Sequence, residues 1–118
     1  MSSISTHVLD TVTGKPAPGI PIRLDKWLPG AEPSDEWTSI SRGATDADGR
    51  CADLVPALAP GAPEGLYRLR FDLHAYFGHR ARSSIYPEII IQFHCDGVAH
   101  YHLPLLLSDN SYTTYRGS

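Results

Sequence analysis

His100-Tyr101-His102-Leu103-Pro104-Leu105-Leu106-Leu107 is the stretch from which the fold is read. Side chains alternate across a strand, so Tyr101, Leu103, Leu105 and Leu107 share one face, and His100, His102, Pro104 and Leu106 share the other. The first set is the better core-facing one. A strand that buries an aromatic ring and three leucines on one side, and sends two imidazoles out on the other, belongs to a sheet packed on one face only.

The same period recurs outward from this stretch. Ile4 to Leu9 reads as a strand with Ile4, Thr6 and Val8 on one face and Ser5, His7 and Leu9 on the other. Ile20, Ile22 and Leu24 alternate with Pro21, Arg23 and Asp25, and Pro21 favours an edge or a bulge for that strand. Further strands are expected over Trp37–Ser41, Arg50–Leu54, Leu66–Phe71, Glu88–Phe93 and Tyr112–Tyr115, and Leu73–His79 is the one candidate helix, with Gly78 at its end. Gly14–Gly19, Pro29–Ser34, Thr45–Gly49, Pro56–Pro63 and Asp96-Gly97 punctuate the chain as turns and loops. Seven or eight short strands and one small helix, with no repeat and no low-complexity tract, make an all-β sandwich.

Composition agrees. A chain of 118 residues fits one domain, 1–118, and its 10 Gly and 10 Pro are too many for a helix bundle, where each interior one costs roughly 1 to 3 kcal/mol. A net charge of −3 gives no basic footprint for nucleic acid. No stretch approaches the ~20 apolar residues of a membrane helix, and the first residues lack the basic-then-apolar pattern of a secretory signal, so a soluble cytoplasmic protein without a membrane partner is expected. Cys51 and Cys95 match no metal or redox spacing and are expected as thiols.

Chemistry has few places to sit. His100 and His102 on one strand face could be solvated surface groups, or two nitrogens for a metal whose third ligand would come from His7, His74, His79, His94 or a carboxylate; nothing in the spacing selects one, and no metal or cofactor is expected. Arg50 would sit where a strand begins, after a turn made by Asp48-Gly49.

Taken together, Ser5-Thr6-His7-Val8-Leu9-Asp10, Thr45-Asp46-Ala47-Asp48-Gly49-Arg50-Cys51, His100-Tyr101-His102 with the following Leu103–Ser108, and the final Tyr115-Arg116-Gly117-Ser118 resemble the transthyretin-related 5-hydroxyisourate hydrolase family. The four fragments occur in the family's order across nearly the whole chain. The resemblance implies a transthyretin-like sandwich of two four-stranded sheets with one short helix, assembled as a homotetramer, a dimer of dimers, with sites at the dimer–dimer interface. It implies a hydrolase of purine metabolism that opens the six-membered ring of 5-hydroxyisourate with water, in urate degradation towards allantoin. Carried over by motif, the catalytic set falls on His7, Arg50, His102 and Ser118, and substrate binding on His7, Arg50, His100, Pro104, Leu106, Tyr115, Arg116 and Gly117. The family also contains the carrier transthyretin, in which the motif histidines and the terminal Tyr-Arg-Gly-Ser are replaced, so a small-ligand binding module is the alternative. Asp109-Asn110-Ser111 departs from the family's more usual Pro-x-Gly-type turn.

The residue types suit the reaction. Hydrolysis of a cyclic amide needs a base for water, a donor or cation for oxyanion charge and an acid for the leaving nitrogen. Histidine can supply the first and last near neutral pH, and arginine the second. His7 and His102 are expected to share proton transfer, Arg50 to anchor and polarise the substrate, and Ser118 to position substrate or water rather than to act as a nucleophile.

Overall fold

A computed structural model describes residues 2–28, 36–52, 54 and 61–117. The turn expected over Pro29–Ser34, and most of the connection expected over Pro56–Pro63, lie outside the described residues. The elements are β1 (Ile4–Asp10), β2 (Lys15–Pro16), β3 (Pro21–Leu28), β4 (Glu36–Ala44), β5 (Arg50–Cys51), β6 (Gly65–Asp72), α1 (His74–His79), β7 (Glu88–Cys95), β8 (Tyr101–Leu107) and β9 (Tyr112–Thr114). One sheet runs β2-β1-β8-β9, with the two-residue β5 also paired to β1; the other runs β4-β3-β6-β7.

The two sheets pack their apolar faces together, as the alternation requires. Ile4, Val8, Leu103, Leu105 and Leu107 from one sheet meet Ile22, Leu24, Tyr67, Leu69, Phe71, Ile89 and Ile91 from the other in a single buried cluster. Burying a leucine or phenylalanine side chain contributes roughly 1.5 to 3 kcal/mol, so this face outweighs any local strand propensity in fixing the register.

Three local expectations are corrected. β3 is internal rather than an edge strand, because Pro21 occupies its first residue, where a missing N–H costs nothing; the register shift falls later, between Leu24 and Asp25. Gly78 does not end the helix in a left-handed conformation. That role falls to Ala81, with φ 52°, while the Arg80 and Arg82 amides donate to the Phe77 carbonyl. The strand expected over Arg50–Leu54 is, among the described residues, a two-residue strand at Arg50 and Cys51, with the Leu54 amide donating to the Ile4 carbonyl at 3.1 Å beyond it.

A buried ion pair fastens α1 and the loop after it to β1. The Asp10 carboxylate is fully buried, accepts from the Tyr76 hydroxyl at 2.6 Å and from Arg82 at 2.5 Å, and takes the Val12 amide at 3.0 Å. Arg82 also pairs with Asp109, and the Asn110 side chain accepts from the Ile85 amide at 3.1 Å. The unusual Asp109-Asn110 turn is therefore part of the lock.

Burial alone would raise the Asp10 pKa, but hydrogen bonds from Arg82, Tyr76 and the Thr13 amide outweigh it and bring it to about 2. Tyr76 is pushed up to about 12, first by burial and then by the carboxylate it bonds. With its folded pKa below the unfolded value of 3.8, Asp10 stabilises the fold above pH 4 and loses that contribution as pH falls towards 2, an effect of about 2 kcal/mol. Asp10→Asn, which takes from Arg82 the buried one of the two carboxylates it pairs with and leaves it Asp109, is expected to cost about 3 kcal/mol at neutral pH. At fixed protein concentration, unfolding followed from pH 7 to pH 2 should show a smaller acid-induced decline in the variant than in the parent.

Candidate active site

The parallel pairing of β1 with β8 builds the site. Its register sets Ser5 beside His102, His7 beside Pro104 and Leu9 beside Leu106, so all six side chains leave by the face turned away from the core. On the other flank of β1, the antiparallel pair His7–Arg50 brings the Arg50 side chain to the same face. Residues directly opposite in a sheet have Cβ atoms about 5 Å apart. His7 thus stands between Pro104 and Arg50, with His102 one step diagonally away.

Arg50 is held by its turn. The Asp46 carboxylate accepts the amides of Asp48 at 2.8 Å and Arg50 at 3.0 Å, and the Gly49 amide donates to the Asp46 carbonyl. Gly49 has φ 75°, and a Cβ there would stand 2.4 Å from the Val8 carbonyl oxygen. A glycine is required on both counts, because the turn lies against β1 and the Val8 amide donates to the Gly49 carbonyl at 2.8 Å. The same turn orients His7, whose Nε2 donates to the Asp48 carbonyl at 2.9 Å. A carbonyl only accepts, so the neutral ring carries its proton on Nε2 and leaves Nδ1 as an acceptor.

His102 is half-buried. Its Nδ1 lies 2.8 Å from the Ser5 hydroxyl, which lies 3.3 Å from Nε2 of His100; Nδ1 of His100 is in turn 2.5 Å from the Ser3 hydroxyl. The two imidazoles are stacked, 6.4 Å between centroids and 11° between planes. Burial, and then the positive potential of His100, Arg50 and His7, lowers the His102 pKa from its ordinary 6.5. His102 is therefore neutral at pH 7, with Nε2 available as either donor or acceptor. Ser5, Thr6, Arg50, Ala52, His100 and His102 surround a depression of about 310 Å³, room for a small bicyclic molecule.

The chain end returns to this place. The Gly117 amide donates to the His102 carbonyl at 2.7 Å, and a Cβ on Gly117 would stand 2.8 Å from Cδ2 of the His102 ring. Only glycine leaves space for that ring. Arg116 turns to the other side, with its guanidinium 4.2 Å from the Tyr101 ring centroid and one nitrogen 3.3 Å from the His100 carbonyl. Tyr115 is exposed, Leu106 half-buried and Pro104 buried on the outer face. Ser118 lies outside the described residues.

His7, Arg50, His100, His102, Pro104, Leu106 and Gly117 are thus brought together, whereas the Arg116 side chain is engaged elsewhere. Ser3, Ser5 and Asp46 were not singled out from the sequence. The signal for the serines was present, since Ser3 and Ser5 precede His7 at two-residue spacing and so share its face. Asp46 is the acidic residue that opens the turn.

Residues 4–117 match the family model described as HIUase/Transthyretin. A 5-hydroxyisourate hydrolase from Salmonella typhimurium is 42% identical over 116 residues, 98% of this chain and 80% of that protein. The structure of Klebsiella pneumoniae 5-hydroxyisourate hydrolase superimposes with a TM-score of 0.83 at 35% identity, covering all of both chains. Transthyretin from Sparus aurata gives a TM-score of 0.84 at 32% identity, covering 97% of this chain and 95% of that one. With relatives this similar over nearly its whole length, and with the strand order and outer-face constellation described above, this chain belongs to the HIUase/Transthyretin family.

Proposed function

We propose that this protein is a 5-hydroxyisourate hydrolase that acts by direct attack of water, without a cofactor. The backbone is as similar to a carrier as to a hydrolase, so the choice rests on side chains. The observation that carries it is the convergence of one permanent cation, Arg50, and two imidazoles held by different partners, His7 and His102, on one depression. A ligand carrier has no need of that chemistry, whereas adding water to an acyl carbon needs all of it.

His102 is the general base. It is neutral at the working pH, and with Nδ1–H directed to Ser5 it presents the Nε2 lone pair to a water molecule. Arg50, pre-set by Asp46 and Gly49, binds a substrate carbonyl and stabilises the charge that develops on its oxygen as the tetrahedral intermediate forms. His7, fixed by the Asp48 carbonyl, orients the substrate through Nδ1 and supports proton transfer. The leaving nitrogen takes its proton from Nε2 of His102, and the ring opens to the carboxylic acid, which gives up its remaining proton to solvent as the carboxylate. Ser118, the residue that follows Gly117 in sequence, positions substrate or water. His100, Pro104, Leu106, Tyr115, Arg116 and Gly117 form the surrounding wall.

A homotetramer, a dimer of dimers, completes the pocket that one chain leaves open. β7 and β9 are the last strands of their sheets, and Ile90 and Tyr112 on them are 45% and 41% exposed. Two copies joined along these edges, and then face to face over the histidine-bearing sheet, would exclude bulk water from Arg50 and His102. We place the protein in the cytoplasm, where Cys51 and Cys95 stay reduced.

With freshly generated 5-hydroxyisourate and ultraviolet detection, Arg50→Glu and His102→Asn should each lower turnover by more than tenfold while the protein stays folded. Rates equal to the parent's would misplace the site. Gly49→Ala, strained at positive φ and pressed onto Val8, should cost about 2 kcal/mol of stability and displace Arg50, lowering kcat/KM. The acid limb of kcat/KM should lie below pH 6.5, because His102 resists protonation. Removing the neighbouring positive charge in Arg50→Gln should move the His102 titration, followed by NMR, upward; a midpoint that stays put would contradict the electrostatic coupling.

A further inference from the structure

The hydrogen bonds behind His102 form a continuous chain from the depression to the surface: His102, Ser5, His100 and Ser3. Ser5 is buried, and Ser3 and His100 are exposed. Each link joins one group able to give a proton to one able to accept it, and the chain is self-consistent in two polarities. In the first, His102 Nδ1–H donates to Ser5 Oγ, the Ser5 hydroxyl donates to His100 Nε2, and His100 Nδ1–H donates to Ser3 Oγ, leaving Nε2 of His102 as a lone pair. In the second, every bond is reversed and Nε2 of His102 holds a proton.

We propose that Ser5, His100 and Ser3 are positioning residues that relay protons between His102 and solvent, switching His102 from base to acid within one turnover. This rests on the hydrolase reading above. In the first polarity, a water adds to the acyl carbon, forming the C–O bond, and loses one proton to Nε2 of His102. The Nδ1 proton passes to Ser5, the Ser5 proton to Nε2 of His100, the Nδ1 proton of His100 to Ser3, and the Ser3 proton to solvent. The chain is now in its second polarity. As the C–N bond breaks, Nε2–H of His102 is given to the leaving nitrogen, and Ser3 draws one proton from solvent to restore the first polarity. One proton leaves and one returns, and His102 never holds two ring protons.

That last feature answers the site's electrostatics. An imidazolium at His102 would be half-buried and would face Arg50 and His7 from β5 and β1 and His100 from its own side, all cations or potential cations, with no carboxylate among its hydrogen-bond partners in the described residues. A relay that removes the second proton avoids that state. The stacking of the two imidazoles keeps both rings aimed at the one Ser5 hydroxyl between them. It also gives His100 a task that needs no contact with substrate.

Ser5→Ala removes the central link without adding volume. In the full-length protein assayed with 5-hydroxyisourate, kcat is expected to fall roughly tenfold with KM little changed, and to become dependent on the concentration of a small buffer such as imidazole, which can exchange protons with His102 directly. The solvent deuterium isotope effect on kcat should change with it. Ser5→Thr, which keeps the hydroxyl, should restore buffer-independent turnover. His100→Asn, at an exposed position that packs against no core group, should reproduce the buffer dependence and serves if Ser5→Ala folds poorly. A parent enzyme that turns over substrate, with Ser5→Ala and His100→Asn as fast and as insensitive to buffer as the parent, would overturn the relay and leave the hydrolase reading standing. A parent that does not accelerate the reaction at all would overturn the hydrolase reading itself.

Discussion

Everything in this molecule depends on the parallel ladder between β1 and β8, seven residue pairs from Ile4–Tyr101 to Asp10–Leu107. The ladder joins strands more than 90 residues apart, so no local turn sets its register. The register is set by burial, with Ile4, Val8, Tyr101, Leu103, Leu105 and Leu107 on the core side. A slip of one residue on either strand would turn that strand's apolar set to solvent and its histidine into the core, at a cost of many kcal/mol. The hydrophobic face therefore positions the histidine-bearing face. Asp10, held by Tyr76 and Arg82, clamps one end of the ladder, and the Gly117–His102 bridge lies near the other.

The site is an answer to the problem of placing cations together. Arg50, His7, His100 and His102 would repel one another if all were charged, and no carboxylate is hydrogen-bonded to any of these side chains among the described residues. The partial burial, and then the repulsion, hold His102 neutral, which is the state a general base needs. Hydroxyls and a backbone carbonyl, rather than acids, orient the imidazoles among the described residues. This differs from a triad in which a carboxylate supports a histidine through its protonated state.

Much of this was legible in the sequence, because a period of two is a strong signal when one face is buried. His100-Tyr101-His102-Leu103 alone fixed which face the imidazoles take, and Asp48-Gly49 announced the turn before Arg50. What could not be read is what depends on contacts between distant segments. Period alone does not say that β1 runs parallel to β8, nor that Ser5 falls opposite His102, so the spacing that puts Ser5 on the face of His7 could not place its hydroxyl between the two imidazoles. Pro21 suggested an edge or a bulge and Gly78 a helix end; β3 is internal with its register shift further on, at Leu24/Asp25, since a strand's first residue tolerates proline, and Ala81 supplied the left-handed residue. The Asp109-Asn110 departure was visible but not its purpose, which lies in an arginine 27 residues earlier.

The central claim is that the outer face of the β1–β8 ladder catalyses hydrolysis rather than merely holding a small molecule. Mixing the protein with a large molar excess of 5-hydroxyisourate, and counting substrate molecules opened per chain above the spontaneous background, addresses this directly. The account predicts many turnovers per chain, with a rate that saturates with substrate. Loss of no more than one equivalent per chain, with the remainder decaying at the spontaneous rate, would contradict it and leave a binding protein in its place.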